Sequence, residues 1–281
     1  MSASLKIRTL TEADLGFADA VRELAGWNQL PGDWLRLLRH DPDGCFIAEW
    51  DGQPAGTATT TSYSNDLAWI GMVIVHPDMR RRGIGNALLE HCIGHLQQSG
   101  ARCIKLDATP LGKTVYDQLG FKDEWSLARW EAEGLDKCGE IATPAPADVT
   151  RIGSLDDESF GVDRSRMLHA LAAQSHTIVQ ASSANLVEGY GMLRPGRNAS
   201  YLGPAVSTDE AVGRKIVHSL LSLSEGRRVF WDIPDQNSAA VAMAKQLGFT
   251  QQRVLTRMYL GENAKPGAPN NIWALAAPEI G

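Results

Sequence analysis

The chain has 281 residues, 43% hydrophobic and 21% charged, enough for one large domain or two of ordinary size with a buried core. Its formal charge of −6, from 27 basic and 33 acidic side chains, argues against a nucleic-acid partner or a basic membrane-surface role. The acidic excess sits in residues 1–140, with 14 basic against 20 acidic side chains, whereas residues 141–281 hold 13 of each.

Cys45, Cys92, Cys103 and Cys138 show no CxxC spacing, and no signal-like apolar stretch follows Met1, so a reducing, cytoplasmic setting is expected. No apolar run approaches the roughly 18 residues that a membrane helix needs.

In chain order, "KIRTL" reads as a strand, and Thr11 stands at the start of a helix whose apolar residues Leu15, Ala18, Val21 and Leu24 recur at helical spacing. A second helix is expected over Trp34–Leu38. "CFIAEWDGQPAGTATTTSYS" reads as two strands joined at Asp51-Gly52, a hairpin signal. "LAWIGMVIV" is nearly continuous apolar sequence, as in a strand buried on both faces. Next comes "HPDMRRRGIGNALL", then a helix marked by Ile84, Leu88, Cys92 and Leu96 that ends near Ser99-Gly100. "RCIKLDA" is a strand, a short helix runs from Val115 to Leu119, and "WSLARWEAE" is a closing strand. This order makes a βαβ unit within a mixed sheet.

Residues 139–150, rich in proline and small side chains, read as a linker. A repeat supports that boundary. "QLGF" occurs at 118–121 and again at 246–249, and in the same register Leu127 matches Leu255 and Arg129 matches Arg257. The expected organisation is residues 1–138, a linker at 139–150, and a second copy of the architecture at 151–281.

A strand that runs through a glycine loop into a helix gathers free backbone N–H groups and the positive end of a helix dipole at one point, which favours a phosphate. Gly83 and Gly85 let the backbone approach closely, and the arginines add planar donors suited to phosphate oxygens. The nucleoside-triphosphate loop, GxxxxGK followed by Ser or Thr, is not present. A dinucleotide GxGxxG places Leu88 where a small residue belongs, yet it finds an acidic residue about 20 positions on, in Asp107, and remains an alternative.

"VHPDMRRRGIG" resembles the signature of the GNAT superfamily of acyl-coenzyme A-dependent N-acetyltransferases, R/Q-x-x-G-x-G/A, with Arg80, Gly83 and Gly85 at its fixed positions. "LAWIGMVIV" is similar to the family's fourth strand and "VYDQLGF" to its closing motif. The paired halves, with "GWNQ", "LDATP" and "TRMY", resemble bacterial tandem GNAT proteins whose second half has diverged. The resemblance implies an α/β fold of two tandem GNAT-like domains, each a mixed, mostly antiparallel sheet flanked by helices. It further implies acetyl-coenzyme A as acyl donor, held at the loop by Arg80, Arg81, Arg82, Gly83, Ile84, Gly85 and Asn86. The pantetheine arm would lie along Val73, Ile74 and Val75, between splayed strands, as a peptide does at a sheet edge.

Acetyl transfer from a thioester to an amine needs an oxyanion donor, a proton for the thiolate and a base. Tyr116 occupies the family's general-acid position, and a tyrosine near pKa 10 is still protonated at neutral pH. A backbone N–H near Ile74 or Val75 is the family's usual oxyanion donor. "IGMVIV" lacks the carboxylate that many relatives carry, which leaves Asp107, or more weakly Asp66, as the base. Either aspartate also suits a loop cap or a pair with an arginine. Trp27, Asn28, Gln29 and Asp107 are the expected acceptor contacts, aromatic walls with a few polar groups suiting a small amine. Trp34 reads as core.

His91 and His95 have the i,i+4 spacing of metal ligands, yet Cys92 stands where a zinc protease has Glu, and no metal is expected. Ser182 and Ser183 lack a GxSxG setting. In the second copy Ala244 stands opposite Tyr116, "YLGPAVSTDEAVGRK" lacks the loop motif, and Asp209 and Glu210 would repel phosphate. The expected function is N-acetylation of a small-molecule amine at one site, with no nucleic acid or membrane as partner and a homodimer left open. A non-catalytic acyl-coenzyme A sensor is the alternative, ahead of a dinucleotide-dependent oxidoreductase.

Overall fold

The computed structural model describes residues 4–133, 149–181, 186–224 and 226–281. The first half runs β1 (Leu5–Thr9), α1 (Leu15–Leu24), α2 (Pro31–His40), β2 (Cys45–Trp50), β3 (Gln53–Ser64), β4 (Leu67–Val75), α3 (Ile84–Gln98), β5 (Cys103–Ala108), α4 (Pro110–Gln118) and β6 (Lys122–Ala132). The second runs α5 (Val149–Phe160), α6 (Ser165–Ala172), β7 (His176–Ala181), β8 (Val187–Arg194), β9 (Ser200–Ser207), α7 (Glu210–Ser222), β10 (Val229–Pro234), α8 (Ser238–Gln246), β11 (Thr250–Gly261) and β12 (Ile272–Ala274).

The hairpin turns at Asp51-Gly52 as expected, with both residues at positive φ. Two helices begin earlier than periodicity suggests, for one physical reason. α2 starts at Pro31 and α4 at Pro110, and proline at the first helical position gives up an amide that has no helical partner anyway. Thr109 Oγ1 accepts from the Gly112 amide and completes the start of α4. Thr11 precedes a short 3-10 turn that leads into α1, its amide and hydroxyl both donating to Asp14. Most of the expected linker lies outside the described residues, as do Cys138, Ser182 and Ser183; Val149 and Thr150 already belong to α5.

One mixed sheet carries both halves in the order β1-β2-β3-β4-β5-β11-β6-β10-β9-β8-β7, with β12 beside β9. The halves trade their closing strands: β11 pairs with β5, and β6 pairs with β10. β6 and β11 run antiparallel to each other, and the repeat-related residues Leu127 and Leu255 lie directly opposite. One buried ion pair fastens each traded strand to its host. Arg257 donates to both oxygens of Asp107 at 2.9 Å, and Arg129 donates to those of Asp232 at 2.7 and 2.6 Å. Such two-pronged charge-assisted bonds satisfy both partners away from water.

Helix α3 covers one face of the first half through Ile84, Leu88, Leu89, Cys92 and Leu96, the expected stripe. α7 and α8 cover the equivalent face of the second half. On the opposite face α1, α2, α5 and α6 share one core with residues of both halves, Trp34 among them. Residues 275–281 run across this junction. Arg194 donates to the Ala276 carbonyl, Trp69 Nε1 to Pro278 and the Tyr63 hydroxyl to Ile280. Gly71 permits this, because a Cβ there would strike the backbone of Glu279. Among the described residues no helix is long and apolar enough to cross a membrane.

Candidate active site

β4 and β5 are parallel neighbours only at Ala68–Ile104 and Trp69–Lys105. Beyond Trp69 they make no further pairs, so the strands open into a wedge. A bulge in β4 accompanies the opening: the register against β3 slips between Thr57 and Thr59, and Met72 takes φ +49°. At the open end β4 gives way to a loop in which Arg81 and Gly83 both have positive φ, 62° and 79°.

Gly83 is the N-cap of α3 and offers no side chain to its first amides, which remain bare. Gly85 packs toward Val75, where a Cβ would make ordinary contact. Arg80 Nε reaches back to the Val75 carbonyl at 3.3 Å, Arg82 lies over the Trp50 ring, and the three arginines are exposed. Ile84 is buried, holding the helix start to the core, while Asn86 is exposed. Uncapped amides, positive charge and an open strand edge suit an acyl-coenzyme A in chemistry and shape.

A cavity of about 120 Å³ lies beside the wedge. Trp27, Asn28, Gln29, Val73, Asp107 and Tyr116 all line it, so the structure brings together residues from α4, β4, β5 and the turn after α1. Ile74 and Val75 continue along β4 toward the loop. The Tyr116 ring packs on Gly112 and Phe121, and burial pushes its hydroxyl up to about 12.

Other expected contacts are already engaged. Both Asp107 oxygens accept from Arg257, so this carboxylate, raised by burial and opposed by that guanidinium, fastens a strand. Its partner lies 150 residues away, which no local pattern discloses. Asn28 Nδ2 donates to the Ala199 carbonyl, while its Oδ1 accepts from the amides of Asn198 and Ala199. Asp66 pairs with Arg102 at the closed end of the wedge. His91 and His95 stand edge-on to Phe46, and the described residues contain no cluster of three or more metal-ligating side chains.

Two residues that sequence reading missed also line the cavity, Arg253 from β11 and Glu279 from the 275–281 segment. Glu279 is 3% exposed, and its Oε2 accepts from Gln29 Nε2 at 2.7 Å. The available signal was a lone acid in the apolar run "IWALAAPEI".

The second half repeats the wedge and fills it. β9 and β10 pair in parallel only from Ser200–Val229 to Leu202–Trp231, after which β12 pairs with β9 at Ala205 and Val206. Trp231 Nε1 donates to the Trp273 carbonyl, and the Leu275 amide to that of Asp232. Asp209 caps α7 by accepting from the Val212 amide at 2.9 Å, so a side-chain carboxylate stands where the first half leaves its amides bare.

Comparison with known proteins agrees with this geometry. Residues 10–121 match the model of the "Acetyltransferase (GNAT) family", and residues 152–274 match that of an "Acetyltransferase (GNAT) domain". The chain belongs to the GNAT superfamily, as two GNAT domains in tandem, and is an acyltransferase. It is 23% identical over 260 residues to holothin acyltransferase of a Pseudoalteromonas strain, covering 91% of this chain and 87% of the relative. A crystal structure from Pyrococcus horikoshii superposes with a TM-score of 0.84 at 25% identity, covering 99% of this chain and 96% of that one. A tandem GNAT protein from the clavulanic acid biosynthesis pathway shares the fold, with a TM-score of 0.64 at 17% identity over 92% of this chain and 98% of that one.

Proposed function

We propose that the protein transfers the acetyl group of acetyl-coenzyme A to the primary amine of a small molecule, at one site in the first half. The observation that carries this reading is that β4, open toward β5 beyond Trp69, passes the cavity that Tyr116 lines and leads on to the uncapped start of α3. Amides of residues 81–86 hold the pyrophosphate, and the β4 backbone along Val73–Val75 holds the pantetheine arm. A main-chain N–H near Ile74 or Val75, fixed by the sheet, stabilises the oxyanion. Tyr116 protonates the departing thiolate; burial keeps its proton in place through neutral pH until that moment. The second half binds no coenzyme, because β12 and Asp209 stand where its arm and phosphates would go.

Calorimetry tests the reading, with one acetyl-coenzyme A bound per chain as the expected result, followed by thiol release when amines are added. Binding with no turnover across a broad amine panel would make the protein a sensor. Absence of heat at millimolar coenzyme would remove the proposal altogether.

A further inference from the structure

Two charged side chains reach the cavity from the second half, and acetyl transfer as described above uses neither. Arg253 follows an extra residue in β11, Gln252, and stands opposite Arg129 across the strand pair. Arg129 is neutralised by Asp232. Arg253 has no ion pair or hydrogen bond among the described residues, and its Nε is buried without a partner. A guanidinium keeps its charge in such a place, so what it lacks is an anion.

Glu279 presents the complementary case. Gln29 holds one oxygen, while Oε1 is buried without a partner. The charged groups around it are Arg194, Asp33 and Arg36, with Arg129 and Arg253 across the cavity. Arg36 is paired with Asp33, and Arg194 donates to the Ala276 carbonyl. Glu279 and Arg253 make no ion pair with each other, although both line the same space. A half-buried guanidinium without an anion and a buried carboxylate oxygen without a donor face one space, and a ligand carrying both complementary charges satisfies them together.

We propose that the acceptor is an amino-carboxylic acid, its carboxylate held by the fork of Arg253 and its ammonium group by Glu279. This rests on the acetyltransferase reading above and narrows its substrate. The ammonium group gives one proton to Glu279, and the freed amine forms a C–N bond to the thioester carbonyl. Collapse of the tetrahedral adduct breaks the C–S bond, and the thiolate takes the Tyr116 proton. The second amine proton returns to the Tyr116 oxygen, and the proton on Glu279 leaves to solvent. The sum is amide, free thiol and one released proton.

The test pairs α-, β- and γ-amino acids with the amines left after removal of their carboxylates, compounds of similar basicity, using acetyl-coenzyme A and thiol release. At least one acid should exceed its amine by more than about tenfold in kcat/KM, the scale of a charge-assisted hydrogen bond. R253Q should reduce that ratio at least about tenfold, with R253K retaining part of it because it keeps charge but loses the fork. The N-acetylated form of that acid should bind the wild type in calorimetry, and R253Q much more weakly. Simple amines that match or exceed their acids in every pair would overturn the inference, as would R253Q lowering both members alike. Acetylation of amines without acid preference sinks this inference alone; loss of coenzyme binding as well sinks the functional reading beneath it.

Discussion

The two halves share one architecture and differ in what occupies the opening between their parallel strands. Between β4 and β5 the opening is free and the next helix starts on a bare glycine. Between β9 and β10 it holds β12, and the next helix starts under the Asp209 carboxylate. The lesson is that a diverged copy does more than lose a motif. Its own backbone pairs with the free strand edge, and its own acid satisfies the helix start. What the second half then contributes goes to the first half's site: β11 closes the first half's sheet, and Arg253 and Glu279 line the first half's cavity.

The largest effect expected from this contrast is at Gly83. Its φ of 79° suits glycine, and a β-branched residue there forces the loop to move. Gly83→Val should weaken acetyl-coenzyme A binding about a thousandfold, from strain of about 1–3 kcal/mol together with lost amide contacts. Calorimetry reads this directly, and circular dichroism should show the fold intact. Unchanged affinity would remove the loop from the account.

Tyr116→Phe comes next. The repeat register places Ala244 at the matching position, so this change makes the first half resemble the second in its chemistry but not in its slot. Turnover should fall about a hundredfold while coenzyme affinity stays within about twofold. Equal loss of both would mean that the ring serves packing rather than proton transfer.

How much of this was legible in the sequence follows from how local each feature is. The loop at residues 80–86 is contiguous, and its motif stands in the chain as it stands in space. The repeat-related Arg129 and Arg257 were visible as identities, but not as the two strand-fastening arginines, because each pairs with an aspartate more than a hundred residues away. The trade of β6 and β11 leaves no local trace, since each strand has the same alternation whichever sheet receives it. The starts of α2 and α4, at Pro31 and Pro110, lie ahead of the apolar residues by which each helix was placed. Asp107, expected as the base from its place at the end of β5, lines the cavity, yet its engagement with Arg257 is a tertiary fact.

Glu279 gives a pH-dependent test, because the first half's β4 lacks a carboxylate and the second half supplies one. Burial pushes the Glu279 carboxyl above its ordinary range, against the opposing pull of Arg194 and Arg36, with Asp33 adding to the rise. A base is active when ionised, so kcat/KM should fall as pH drops through this raised value, at a pH above that of an exposed glutamate. E279Q should lower kcat/KM between roughly tenfold and a hundredfold at neutral pH and remove that acid limb. An acid limb that persists in E279Q would assign the proton to another group.

The smallest expected effect probes the second half. Removing the Asp209 cap by Asp209→Ala frees the Val212 amide and should destabilise the protein by about 1 kcal/mol, seen in chemical or thermal denaturation. It should not create a second coenzyme site, because β12 still pairs with β9 where a pantetheine arm would need that edge. Calorimetry on this variant should therefore still give one acetyl-coenzyme A per chain. A stoichiometry of two would show that the carboxylate alone had excluded the coenzyme, and that the strand filling the wedge yields to a ligand.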